Sequence, residues 1–173
     1  GACEFTRVFD WGGGELEQAI ASTLEVDLDE AAVILKHLSL SGPGLMLDTL
    51  DDEKRARAVD AIRHRLTPFA RELVNSLQFS QTQAESLGIG GIVVTGGTSH
   101  LEGLEGALQQ MIGVDVEIGD PLTRVTPAGD LEPIIEAMIG SMAVPIGLAI
   151  DDASVRSVNL IPGDAVKQKS TRK

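Results

Sequence analysis

The chain has one cysteine, Cys3, one tryptophan and no tyrosine, and aromatic residues make up only 3% of its 173 positions. A single cysteine cannot close an internal disulfide, and no Cys/His cluster has zinc-ligand spacing, so the sequence fits a reducing compartment and the cytoplasm is expected. With so few aromatics the core must be built from Leu, Ile, Val, Ala and Met, a composition that suits α/β packing. Positive charge is also scarce: 14 Lys and Arg face 26 Asp and Glu, for a net charge of -12. Clustered cations drive binding to a phosphate backbone, so this balance argues against nucleic acid as a partner. There is no apolar run of the ~18 residues of a membrane helix, and no basic-then-apolar segment opens the chain as a secretory signal would. There is no Walker Gly-Lys-Ser/Thr and no nucleophile elbow.

What is present is a globular composition, 43% apolar with 19 glycines, at a length of about one domain. The chain opens on "GACEFTRVFD" without a methionine and reads as a piece of a longer protein. Residues 3–9, "CEFTRVF", alternate loosely through Phe5, Val8 and Phe9 and predict a strand entering the "WGGG" turn at 11–14. Leu16, Ala19, Ile20, Thr23 and Leu24 then have the spacing of one buried helix face. Asp27 or Asp29 is placed to cap a second helix, and Gly42, Pro43 and Gly44 mark a loop over 39–50. The longest helical signal runs from Asp51 to about Ser86 through Val59, Ile62, Leu66, Phe69, Leu73 and Leu77, with a kink or a fresh start capped by Thr67 expected at Pro68. "GGIVV" predicts a buried strand and "LEGLEGALQQMI" a helix ended by a left-handed Gly113. "VDVEI" predicts the next strand. Residues 134–150 read as an apolar helix bent or restarted at Pro145, with Gly140 and Gly147 allowing close backbone approach.

The candidate chemistry centres on the pair Gly96-Gly97 after the "IVVT" strand. Small residues there let a ligand approach the main chain, and a helix start favours anions. The same glycines also serve a sharp strand-to-helix turn and nothing more, and spacing leaves both readings open. His37, His64 and His100 are isolated and read as exposed polar residues, and Ser99 reads as a helix cap beside His100. The pairs Asp51-Asp52 and Asp151-Asp152 read as solvated carboxylates at helix ends. No catalytic residue and no metal ligand is assigned.

Set in order, four stretches resemble the PilM family of type IV pilus assembly proteins, actin-like relatives of the division protein FtsA. They are "FTRVFDWGGGELEQAIASTLEVDLDEA", "RELVNSLQFSQTQ", "GGIVVTGGTSHLEGLEGALQQMIGVDVEIGDPL" and "AVPIGLAI", and the resemblance covers about residues 5–162. It implies an α/β, actin-like (RNase H-like) second lobe: a partial mixed sheet flanked by helices with a mainly helical insertion. The divisions that follow are a strand and turn of the lobe core over 1–14, a helical subdomain over 15–87, the lobe core with an adenosine-type motif over 88–162 and a basic tail over 163–173.

The resemblance further implies that Gly96, Gly97 and Thr98 line the adenine of ATP and that Lys36 approaches the ribose or base. ATP with magnesium is expected only in the complete protein, since the family's phosphate loops would lie upstream, and tight binding by this stretch alone is not expected. The sequence departs from the family in "AAVILK", where Ala32 and Val33 stand in place of a glutamate before the lysine, and in Glu17, which replaces a common threonine. "NLIP" at 159–162 resembles the Asn-Leu-Leu-Pro motif of PilN, the membrane partner of PilM, and Lys167, Lys169, Arg172 and Lys173 would lie just inside a membrane span if the two were fused. The implied role is a cytoplasmic scaffold at the inner face of the inner membrane, joining a PilN-like protein to other pilus machine components, with nucleotide-dependent lobe closure. Alternatives are a polymerising FtsA-type ATPase or a GspL-like type II secretion adaptor.

Overall fold

The computed structural model of the protein describes residues 5–48, 50–82, 88–126 and 139–149. Helix α1, Gly13–Leu24, buries Leu16, Ala19, Ile20 and Ala21, so its inner face is the predicted one, shifted slightly away from Thr23 and Leu24. It ends at Glu25, a left-handed residue (φ 58°) whose N–H donates to the Ala21 carbonyl. Helix α2, Leu28–His37, is capped by Asp27, whose Oδ1 accepts from the Glu30 N–H at 2.8 Å. Its last turn carries Lys36 and His37, cations or potential cations beside the exposed carbonyl ends. Ala31, Ile34 and Leu35 form its buried face.

Helix α3, Asp52–Gln81, has 30 residues and extends about 45 Å at ~1.5 Å per residue. Asp51 caps it by accepting from Lys54 N–H at 2.8 Å. Its inner row is Ala58, Ile62, Leu66 and Ala70, every fourth residue, against α1 on one side and a later helix on the other. The expected restart at Pro68 does not occur: α3 is continuous through it. Pro68 is exposed, so its ring displaces no packed neighbour, and the Thr67 hydroxyl turns back to donate to the Arg63 carbonyl at 2.9 Å instead of capping a new helix.

The strand β1, Ile92–Val94, pairs in parallel with β2, Val116–Ile118, in the register Ile92 to Val116 and Val94 to Ile118. Helix α4, Leu104–Ile112, crosses between them and is closed by Gly113 (φ 76°), whose N–H donates to the Gln109 carbonyl at 2.8 Å. A single 3-10 turn spans Pro121–Arg124, and a second, Ile139–Met142, leads into α5, Ala143–Ala149. Pro145 thus sits in the first turn of α5, where its missing N–H costs no helical bond. The α/β class therefore holds, with two parallel strands and a helix-rich body. Leu16, Ile20, Ile62 and Leu66 are the large side chains sealed from solvent at its centre.

Two further predictions about elements fail in the described residues. Residues 5–9 form no strand, and among the described residues no neighbouring strand offers them a ladder. Phe5 and Phe9 of that segment meet aromatic rings of α3 instead, while Val8 is 89% exposed. Among the described residues nothing approaches Gly147 closely, whereas Gly140 meets the Gly96 turn. The stretches 127–138 and 150–173, which include the start of the expected apolar helix, "NLIP" and the basic tail, lie outside the described residues, as does the segment 83–87 at the expected end of α3.

Candidate functional site

The site is built where β1 ends. Thr95 leaves the strand and Gly96 takes φ +115°, a conformation open to glycine and strained for any side chain. The Gly96 carbonyl then accepts two bonds from Ser99, from the backbone N–H at 3.1 Å and from Oγ at 2.8 Å. Ser99 is buried and closes the glycine turn; it is not the cap of α4. The chain makes two further tight turns, Leu101 N–H to Thr98 carbonyl and Leu104 N–H to Leu101 carbonyl, before α4 begins. Its N-cap is Gly103 (φ 80°), against Ser41, where a side chain would collide. The direct passage from glycine pair to helix that spacing suggested is thus interrupted by a seven-residue tuck over residues 97–103.

A second glycine turn faces the first. Helix α1 starts at Gly13 with Gly12 as its N-cap and no side-chain cap. The Thr98 hydroxyl packs against Gly13 so closely that a Cβ there would overlap it. Two turns more than 80 residues apart in sequence therefore meet through one hydroxyl and one absent side chain. Around them opens a cleft of ≈ 690 Å³, lined by Gly12, Gly13, Gly96, Gly97 and Thr98 together with the apolar side chains of Ile92, Val94, Leu104 and Leu108. The start of α1 has no side-chain cap, its Glu15 N–H is satisfied by the Gly12 carbonyl at 3.0 Å, and it brings a positive dipole end to the same region.

Phe9, Trp11 and Phe69 also line the cleft. Trp11 stacks on Phe69 of α3 with centroids 4.0 Å apart and planes 14° from parallel, and Phe9 meets the same ring edge-on at 6.1 Å. Phe5 pairs with Phe79 at 5.9 Å, and the Arg7 guanidinium sits 5.2 Å over the Phe9 ring. All five aromatics of the chain, four Phe and one Trp, thus lie along the seam between residues 5–11 and the outer half of α3. Each such pair adds about 0.5–1.5 kcal/mol beyond its area. The Trp11 Nε1–H is buried there with no hydrogen-bond partner among the described residues.

Gly96, Gly97 and Thr98, named from sequence, are together in the cleft. Lys36 is exposed in the last turn of α2 and is not among the residues lining it. His64 and His100 are exposed, and His37 is half-buried with Nδ1 2.8 Å from the Val33 carbonyl. Sequence reasoning missed Gly13 and Trp11 as parts of the site. The "WGGG" run signalled a turn, but nothing local tells which distant residue packs on it. Also missed was the tie between halves: Leu40 N–H donates to the Glu102 carbonyl at 2.8 Å, and Arg63 Nη2 donates to the Leu40 carbonyl at 2.8 Å. Among the described residues no helix is long and apolar enough to cross a membrane.

A family model described as type IV pilus assembly protein PilM matches residues 1–153. No curated protein matches the chain. Among solved structures the chain is similar to one titled PilM-PilN type IV pilus biogenesis complex, at 27% identity and a TM-score of 0.63, over 83% of this chain and 37% of that chain. The present chain therefore spans little more than a third of the length of that neighbour.

Proposed function

Since the chain belongs to the PilM family of type IV pilus assembly proteins, we propose that it forms part of a cytoplasmic scaffold at the inner face of the inner membrane, with the cleft between its two glycine turns receiving the adenosine end of a nucleotide. The observation that carries this reading is the meeting of Thr98 with Gly13, which brings a left-handed glycine turn and a helix start with no side-chain cap to one partly apolar cleft. Such a place suits a flat ring laid against backbone, with hydrogen-bonding groups at its rim. Gly96, Gly97 and Thr98 would hold the adenine. Bound ATP with magnesium would supply differential affinity between open and closed lobes of the complete protein, the condition for a ligand to change lobe angle.

The structural neighbour is titled as a complex with PilN, which supports a PilN-like inner-membrane protein as the partner of the scaffold. Titration of ATP and magnesium into the complete protein, followed by calorimetry, tests the nucleotide half of the reading. Saturable binding that is lost in Gly96→Val, whose β-branched side chain is incompatible with φ +115°, is the expected result. Absence of heat at millimolar ATP would remove the nucleotide and leave the scaffold, to be tested by co-purification with a PilN-like protein.

A further inference from the structure

We propose that Gly140 and Ser99 are positioning residues for the Gly96 turn, so that residues 139–142 and the turn are held as one unit and α5 follows the state of the cleft. The inference rests on the reading of that cleft as a ligand site. It is carried by the use of both backbone groups of Gly96. Its N–H donates to the Gly140 carbonyl at 2.8 Å, and its carbonyl accepts from Ser99 N–H at 3.1 Å and from Ser99 Oγ at 2.8 Å. Gly140 is buried, and a Cβ added to it would strike the Gly96 carbonyl oxygen and come within 2.5 Å of Ser99 Oγ. One residue later the contact continues, since a Cβ on Gly97 would come to 3.3 Å from Ser141 Oγ.

The two segments are thus interlocked backbone to backbone, at a spacing that only glycine at 140 permits. Gly96 cannot rotate its peptide toward or away from a ligand without breaking the bond to Gly140 or moving residues 139–142 with it. Packed contacts of this kind transmit a shift because they have few intermediate arrangements. Helix α5 follows the 3-10 turn Ile139–Met142 with no residue between, so displacement of the turn is passed directly to it. That helix carries no charged residue, and Val144 and Leu148, one helical turn apart, are each 69% exposed.

Hydrogen exchange on the complete protein tests the proposal, because the Gly96 amide directly reports the bond to Gly140. Gly140→Ala is expected to raise exchange at 96–99 about tenfold while residues 13–37 and 52–66 keep wild-type protection, which shows that the body stays folded. Gly147→Ala is the matched control, since no described residue lies within 4 Å of its added Cβ, and it should leave exchange at 96–99 unchanged. Where Gly140→Ala unfolds the body as well, Ser99→Ala against Ser99→Thr decides: exchange at Gly96 should rise in the first and be held down by the retained hydroxyl in the second. Wild-type protein with ATP and magnesium should gain protection at 139–142 together with 96–99. Exchange at 96–99 in Gly140→Ala no different from that in Gly147→Ala would overturn the proposal. Failure of the wild type to bind ATP would instead remove the nucleotide reading, with the ligand-free comparison still deciding whether the two segments are locked.

Discussion

Between α1, α2 and the first half of α3, contact is made by side chains: Leu16, Ile20, Ile34, Ile62 and Leu66 fill the space, and helix geometry only aims them. Between the end of β1, the start of α1 and residues 139–142, contact is made by missing side chains: Gly13, Gly96 and Gly140 sit where a Cβ would collide or where φ forbids one. The first region derives its stability from buried apolar area, about 25 cal/mol per Å². The second gains little from area and depends on backbone bonds with one allowed geometry, which suits a surface that must accept a ligand in a defined pose. A mutation should therefore cost stability in the first region and shape in the second.

The largest effect expected is in the body. Leu66→Ala removes a side chain that is 0% exposed and should lower unfolding free energy by about 3 kcal/mol, read by urea denaturation. A loss under about 1 kcal/mol would show that the site collapses around the cavity and would weaken the contrast. Next is the aromatic seam, which lies between the two regions. Phe69→Ala removes the ring shared by Trp11 and Phe9 and should cost about 2 kcal/mol, less than a fully enclosed ring because Phe69 is only partly buried. It should also raise proteolysis of residues 5–11, whereas Phe79→Ala, at a position 53% exposed, should cost well under half as much.

The smallest effect sharpens the comparison most, because two neighbouring glycines separate the rules. Gly14→Ala meets nothing within 4 Å and should stabilise α1 by about 0.5 kcal/mol through helix propensity. Gly13→Ala gains the same propensity but drives a methyl into Thr98 Oγ1, so it should show no net gain and should alter the cleft. Paired thermal melts and amide shifts of residues 95–99 read both outcomes. Equal stabilisation by the two substitutions, with unchanged shifts, would mean that the turns do not meet as described.

Much of the helical body was legible because its signals are local. Asp27, one of two candidate caps, acts within three residues of itself, Gly113 ends the helix it directly follows, and Leu16 with Ile20 is read from spacing alone. The fresh start expected at Pro68 failed because an exposed proline ring meets no packed neighbour and the helix continues through it. Phe5 and Phe9 misled because their alternation is equally that of a strand and of a segment laid along a helix, and the choice depends on which partner is available. Ser99 was assigned to a helix that begins five residues further on, since nothing near it discloses the intervening tuck.

The sequence by itself determined the class of this protein, the identity of its main helices, the left-handed end of α4 and the presence of a glycine turn after β1, all set by propensities that act within a few residues. Tertiary structure alone decided what the turn touches: Thr98 on Gly13, Gly140 on Gly96, and Trp11 on Phe69. A glycine records only that a side chain is absent, and the reason for the absence lies in whichever distant backbone comes close enough to need the space.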